Sequence, residues 1–126
     1  MARRIWTGEH FQGDDVTFFD RFVRTGGVAV VAADVTSWSM RVFESNDDRT
    51  GKWIVRDAAP AGYVFDALST VDWQRDTTGW NFKYRLQPST FRAEARTYRF
   101  EIRLTTASYG VLSSVHSIKF LAMGSV

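Results

Sequence analysis

The stretch ARTYRFEIRLTTASYGVLSSVHSIKFLA, from Ala95 to Ala122, decides the fold. Apolar and polar residues alternate from Thr97 to Thr105, and this period of two gives a strand one buried and one wet face. The apolar set is Tyr98, Phe100, Ile102 and Leu104. Turn residues ending at Gly110 follow, and a second strand-like run extends from Val111 to Ala122. The stretch predicts a long hairpin at the centre of an antiparallel β-fold.

Shorter strand-like runs precede this hairpin and are separated by turn residues. They cover Val16–Val23, Val28–Ala32, Ser37–Glu44, Lys52–Arg56, Tyr63–Asp66 and Trp80–Leu86. Residues 67–76 fit either one helical turn or a loop. Turn signals recur roughly every ten residues, a pattern typical of a two-sheet β-sandwich or a small barrel.

The alternation in the first of these runs is imperfect. Phe19 falls out of phase with its apolar neighbours, and Asp20 falls in phase with them. Either a bulge or a second face covered by a partner would account for this pattern.

Residues 1–12 read as an N-terminal arm, and residues 13–126 as a single sandwich domain. The arm carries the candidate partner-binding residues Arg3, Arg4, Ile5, Trp6 and Phe11. The two arginines are expected to be solvated or paired with a neighbour. The apolar residues are too large for a free tail, so they either lie across their own domain or anchor on a partner.

Composition narrows the classes of partner. The net charge of the 126 residues is only +2 and both signs are interspersed, so no basic face for nucleic acid is indicated. There is no cysteine, which excludes disulfides and thiolate metal sites. No apolar run reaches the length of about eighteen residues that a membrane span needs, so no membrane partner is expected. The high aromatic share, 15%, favours a β-domain that also binds something.

No residue cluster identifies a reaction. The two histidines, His10 and His116, lie far apart in sequence, and His116 shares the parity of Ile118, as expected of a packed or edge histidine. No nucleophile elbow, phosphate loop or zinc-protease motif is present. The doublets Asp14-Asp15 and Asp47-Asp48 would suit calcium if their loops met, but turn formation explains them more simply. We therefore predict no catalytic residue, metal or cofactor.

Tryptophan and arginine supply the remaining candidates. Trp38 and Trp80 share parity with core residues, whereas Trp53 and Trp73 lie near loops and are possible glycan contacts. Arg99 and Arg103 line up on the wet face of the central strand, where they form either a solvated ladder or a subunit contact.

The order of features resembles a phage family. Gly13-Asp14-Asp15 leads into a strand, SWSMRVFES follows from Ser37, and TYRFEIRLTTASYGV begins at Thr97. Together these resemble the immunoglobulin-like sandwich domains of tailed-phage virion proteins, in particular the N-terminal domain of baseplate upper proteins. The resemblance covers residues 13–44 and 97–110. It implies an all-β, antiparallel two-sheet, immunoglobulin-like sandwich of about eight strands behind an extended arm.

The resemblance also implies a function, which we state as an expectation. The chain would be a non-enzymatic structural protein of a virion assembled in the host cytoplasm. As capsid decoration or as a neck, tail or baseplate adaptor, it would bind other virion proteins and form a homo-oligomer. The alternative is a carbohydrate-binding module that uses Trp53 and Trp73.

Overall fold

The computed structural model describes residues 5–44, 51–87, 91 and 94–122. Within these residues the chain folds into eight strands and one short 3-10 turn, η1 (Ala32–Asp34). The strands are β1 (Ile5–Phe11), β2 (Val16–Asp20), β3 (Val35–Glu44), β4 (Lys52–Ala58), β5 (Val64–Ser69), β6 (Trp80–Leu86), β7 (Thr97–Thr106) and β8 (Val111–Leu121). Residues 67–69 extend β5, which neither sequence alternative predicted, and residues 70–76 form turns, so the loop interpretation is correct for 70–76.

The strands form two sheets with the strand order of an immunoglobulin-like sandwich. One sheet runs β1-β8-β7-β3-β4 and the other runs β2-β6-β5. The second sheet and the β8-β7-β3-β4 part of the first match the two layers of variable-type domains. Two separate sheets confirm the predicted sandwich and exclude the barrel. The β1–β8 pair is parallel, whereas the pairs between the other strands are antiparallel.

The hairpin predicted at the centre of the fold is present. β7 and β8 pair without a register shift from Thr97↔Lys119 to Thr105↔Val111, and β7 is the middle strand of the larger sheet. The apolar parity of β7 faces the other sheet, and Phe100, Ile102 and Leu104 are fully buried. Period-two alternation therefore identified both the strand and the face that it buries.

Aromatic residues occupy the centre of the sandwich. Trp38 on β3 is 1% exposed and makes edge contacts with Phe82 and Tyr84 across the sheets. Phe18 on β2 and Phe100 on β7 lie 5.1 Å apart between ring centroids. In antibody domains a disulfide joins the two strands that correspond to β2 and β7. In this protein an aromatic pair takes the place of that disulfide between the sheets.

Tyr98 adds a second immunoglobulin-like feature. It lies at the start of β7, two residues before Phe100, and its hydroxyl accepts a hydrogen bond of 3.1 Å from the backbone N–H of Glu94. A tyrosine at this corner that bonds to backbone a few residues upstream is a hallmark of such sandwiches. The bond ties the chain entering β7 to the strand itself.

The bulge, one of the two alternatives for the irregular pattern near Phe19, is absent. β2 and β6 pair in unbroken register from Val16↔Leu86 to Asp20↔Phe82. Phe19 lies on the outer side of the smaller sheet, where its ring is 5.1 Å from that of Trp80. The in-phase Asp20 points into the sandwich, where it bonds to Ser114 and His116. The other alternative, an outer face at Phe19 covered by a partner, stays a prediction.

The loop between β5 and β6 is organised by Asp76. Its carboxylate accepts hydrogen bonds from the indole N–H of Trp73 at 2.8 Å and from the backbone N–H groups of Thr78 and Gly79. Arg21 pairs with the same carboxylate at 2.7 Å. The Trp73 bond, followed by these other donors, holds the pKa of Asp76 well below its usual range.

Candidate functional site

A polar cluster is buried between the two sheets. Ser114 donates a hydrogen bond of 2.7 Å to one carboxylate oxygen of Asp20, and Nε2 of His116 lies 2.7 Å from the other. The three residues are between 2% and 7% exposed. Because a carboxylate only accepts hydrogen bonds, the proton of this contact lies on Nε2. β8 supplies Ser114 and His116 from its inward parity, and β2 supplies Asp20.

Arg75 closes this cluster from the β5–β6 loop. Its Nη1 lies 3.5 Å from Asp20 Oδ1, which provides a charge partner for the buried carboxylate. Its guanidinium carbon is 3.5 Å from the ring centroid of Trp6 and 4.5 Å from that of Trp73. Stacking on two indoles fixes the guanidinium plane and links β1 to the loop of the opposite sheet.

The cluster has the residue types of a hydrolase triad but a different connectivity. In a triad the imidazole lies between serine and carboxylate, so that it can take the serine proton. Here Asp20 lies between Ser114 and His116, and the serine proton already points to the carboxylate. This arrangement satisfies buried polar groups and links the two sheets, and its connectivity is not that of an imidazole-activated serine.

The larger sheet presents a second candidate site on its outer face. One row of paired residues crosses all five strands: Trp53, Arg41, Glu101, Val115 and Ile5. Arg103 Nε lies 2.7 Å from Glu101 Oε1, and Arg41 Nη2 lies 3.5 Å from the same oxygen. The Glu101 carboxylate is thus held between two guanidinium groups, which explains how a charged residue is only 6% exposed.

Guanidinium groups and aromatic rings alternate along this face. The guanidinium carbons of Arg56 and Arg41 lie 5.3 and 5.0 Å from the Trp53 centroid. Those of Arg41 and Arg99 lie 5.2 and 4.8 Å from the Phe43 centroid. We call these five residues, Arg56, Trp53, Arg41, Phe43 and Arg99, the arginine–aromatic ladder. Stacking orders the long side chains in advance, which lowers the entropy cost of binding a partner.

The predicted site residues fall in different places. Arg99 and Arg103 lie on the outer face, where Arg103 is 45% exposed. Trp6 contacts Arg75, as described above, and the backbone segments of Ile5 and Phe11 belong to β1. The segment 5–11 thus lies on its own domain, one of the two alternatives for the apolar arm. Arg3 and Arg4 lie outside the described residues.

The two candidate glycan contacts differ in access. Trp53 is 46% exposed, and arginines approach its ring within the ladder. Trp73 is 8% exposed, stacked under Arg75, and its indole N–H is engaged by Asp76. Trp38 and Trp80 are buried, as predicted from their parity, although Trp80 contacts Phe19 and Phe65 on the outer side of its sheet.

Sequence reasoning missed Asp20, Arg75 and the ladder. Asp20 and His116 are 96 positions apart, so no local pattern joins them. The available signal for a buried polar cluster was Asp20, an acidic residue on the apolar parity of its strand, because a carboxylate that points inward requires a buried partner. Phe43 was visible as a large apolar residue on the polar parity of its strand; it is 5% exposed because arginines cover its ring.

The described residues show no group of three or more metal-binding side chains. Asp47 and Asp48 lie outside them, so the calcium arrangement involving that doublet is not addressed by the structure. No helix in the described ranges has the length and apolar character to cross a membrane. No protein-family model and no curated protein sequence matches the chain.

Proposed function

We propose that the chain is a non-enzymatic structural protein of a bacteriophage virion. It binds neighbouring subunits as a capsid decoration protein or as a neck, tail or baseplate adaptor. The observation that carries the adhesive role is the arginine–aromatic ladder on the outer face of the five-stranded sheet. Arginine and large aromatics are the side chains that protein interfaces favour. The virion setting rests on the resemblance of residues 13–44 and 97–110 to phage sandwich domains.

The geometry of the buried cluster supports a role without catalysis. Its serine, aspartate and histidine bond to one another in an order in which the imidazole, the base of a hydrolase triad, does not contact the hydroxyl. Its carboxylate is buried between the sheets and covered by Arg75. The cluster therefore serves the stability of the sandwich, and the outer face serves binding. Copies held at regular positions on a particle gain avidity even when each contact is weak.

A carbohydrate-binding module is the second candidate, and the exposed ring of Trp53 favours it. Sugars bind such modules by stacking on an open aromatic face. The guanidinium groups of Arg41 and Arg56 lie about where a sugar ring would stack. Saturable quenching of tryptophan fluorescence by a neutral oligosaccharide, lost in Trp53→Ala, would establish this candidate and displace the first.

Mass spectrometry of gradient-purified phage particles from cells that carry this gene tests the virion assignment. We expect the chain to co-sediment with capsid and tail proteins at a constant copy number. Its recovery only from the particle-free fractions, in cells that release intact particles, would refute the assignment.

A further inference from the structure

The outer face of the five-stranded sheet has an excess of positive charge. Among the described residues on this face, the basic side chains are Arg41, Arg56, Arg99, Arg103 and Lys119, and the acidic ones are Glu9, Asp57 and Glu101. Glu101 is buried between Arg41 and Arg103 and neutralises part of their charge, so the five basic and three acidic residues leave the face with a net charge of +2. The solvent-facing remainder is therefore basic.

The edge of this face is open to a partner. β4 is the last strand of its sheet, so one side of its backbone has no neighbouring strand among the described residues. It presents Arg56 and the 46% exposed Trp53 at that edge. The Arg56 guanidinium carbon lies 5.3 Å from the Trp53 centroid, within cation–π distance, and a guanidinium so placed still has N–H donors for acceptors beside the ring.

The face already shows which acceptor it suits. Arg41 and Arg103 hold the carboxylate of Glu101 between them. Planar carboxylates match the fork of a guanidinium, and such charge-assisted bonds are about twice as strong as neutral ones. A nucleic-acid backbone calls for an uninterrupted basic surface, whereas Glu9 and Asp57 interrupt this one.

From this geometry we infer that the ladder, at the β4 edge, binds an acidic extended segment of another protein through that segment's Asp and Glu carboxylates. Arg56 and Arg41 donate to the carboxylates, and Trp53 covers the aliphatic part of the bound segment. The inference rests on the proposed function only for the source of the segment, a neighbouring virion protein. Binding weakens as salt increases, because the contacts are partly exposed.

The test uses the full chain and labelled poly-L-glutamate, with binding measured by fluorescence anisotropy across a salt series. Arg56→Gln is expected to weaken binding about tenfold, since it removes one charge-assisted contact. Arg56→Lys keeps the charge but not the planar fork, so an intermediate loss is expected. Arg85→Gln is the matched control: it removes the same charge from an exposed arginine on the other sheet, where it pairs with Asp15. Affinity within about twofold of the parent is expected for this control.

Two results would overturn the inference. Equal losses in Arg56→Gln and Arg85→Gln would mean that net charge alone attracts the polymer. Binding of heparin or single-stranded DNA through Arg56, without binding of poly-L-glutamate, would assign the face to a different polyanion. The outcome is separable from the proposed function. If particles incorporate the Arg56→Gln variant as well as the parent chain, the virion role stands, but the ladder is not the surface that attaches the chain.

Discussion

Replacing Asp20 by alanine is expected to cost more stability than any other single polar substitution inside the sandwich. The carboxylate is 2% exposed and satisfies Ser114 and His116 through two contacts of 2.7 Å. Alanine leaves both groups buried without that acceptor, at about 1–3 kcal/mol each, and removes the charge facing Arg75. Two such penalties give about 2–6 kcal/mol, and the loss of about 3–5 kcal/mol found when one member of a buried ion pair is deleted lies within this range.

Urea unfolding followed by circular dichroism measures this cost. A loss of 3–5 kcal/mol lowers the melting temperature of a domain of this size by about 10–20 °C. Asp20→Asn keeps the shape and one carbonyl acceptor, so its loss is expected to be about half as large. These values assume that unfolding stays two-state, which coincident fluorescence and dichroism transitions check.

An all-apolar replacement provides the sharper control. The triple variant Asp20→Leu, Ser114→Ala, His116→Phe removes the donors together with their acceptor, and much of the stability lost in Asp20→Ala is expected to return. The Arg75 side chain is 24% exposed, but the Nη1 that faces Asp20 is buried, so a residual cost from this atom is expected in the triple variant. A change below 1 kcal/mol in Asp20→Ala, or a triple variant less stable than that single variant, would refute the reasoning that these groups depend on one another.

Three further predictions concern the frame around the cluster. Gly79→Ala is expected to destabilise strongly, because a Cβ there would meet the Ser69 carbonyl oxygen at 2.4 Å. Gly26→Ala, also at positive φ but with open space around it, bears backbone strain alone. Equal losses of stability for the two variants in chemical denaturation would contradict this expectation. Tyr98→Phe removes the hydrogen bond from Glu94 and is expected to cost about 1 kcal/mol in the same assay, with no change if that corner does not form in solution. Because the pKa of Asp76 is lowered, this carboxylate stabilises the fold above the unfolded pKa of 3.8, and that contribution is lost as pH falls below 3.8. Asp76→Asn is therefore expected to flatten the acid limb of the curve of unfolding free energy against pH. Identical acid limbs for the two proteins would show that the loop contacts are not made.

Local patterns predicted much of this fold. Alternation identified both strands of the central hairpin, and β6 was predicted with its observed bounds, Trp80–Leu86. β7 buries its large apolar side chains on one face, so period and composition agree there. The parallel partner of β8 was not predicted. Residues 5–11 carry a glycine and three polar residues and show little alternation, and their strand conformation depends on pairing with Val115–Leu121.

The candidate site could be predicted only in part. Arg99 and Arg103 were placed on the wet face of β7 by parity, and the structure has them there. The ladder depends on which residues of β3 and β4 oppose them, and that register involves two shifts beside Met40 that no local pattern specifies. The Asp20–His116 contact likewise arises only when two sheets from distant parts of the chain meet.

The parallel pairing of β1 with β8 determines how the domain bears a mechanical load. Seven residue pairs run in step from Ile5↔Val115 to Phe11↔Leu121, so tension applied at the N-terminal end of β1 and the C-terminal end of β8 pulls the two strands past one another. In this shear geometry the hydrogen bonds between them are stretched together and do not open one at a time. A protein tethered through these two strands would on this account resist pulling far better than one in which the same hydrogen bonds open one after another.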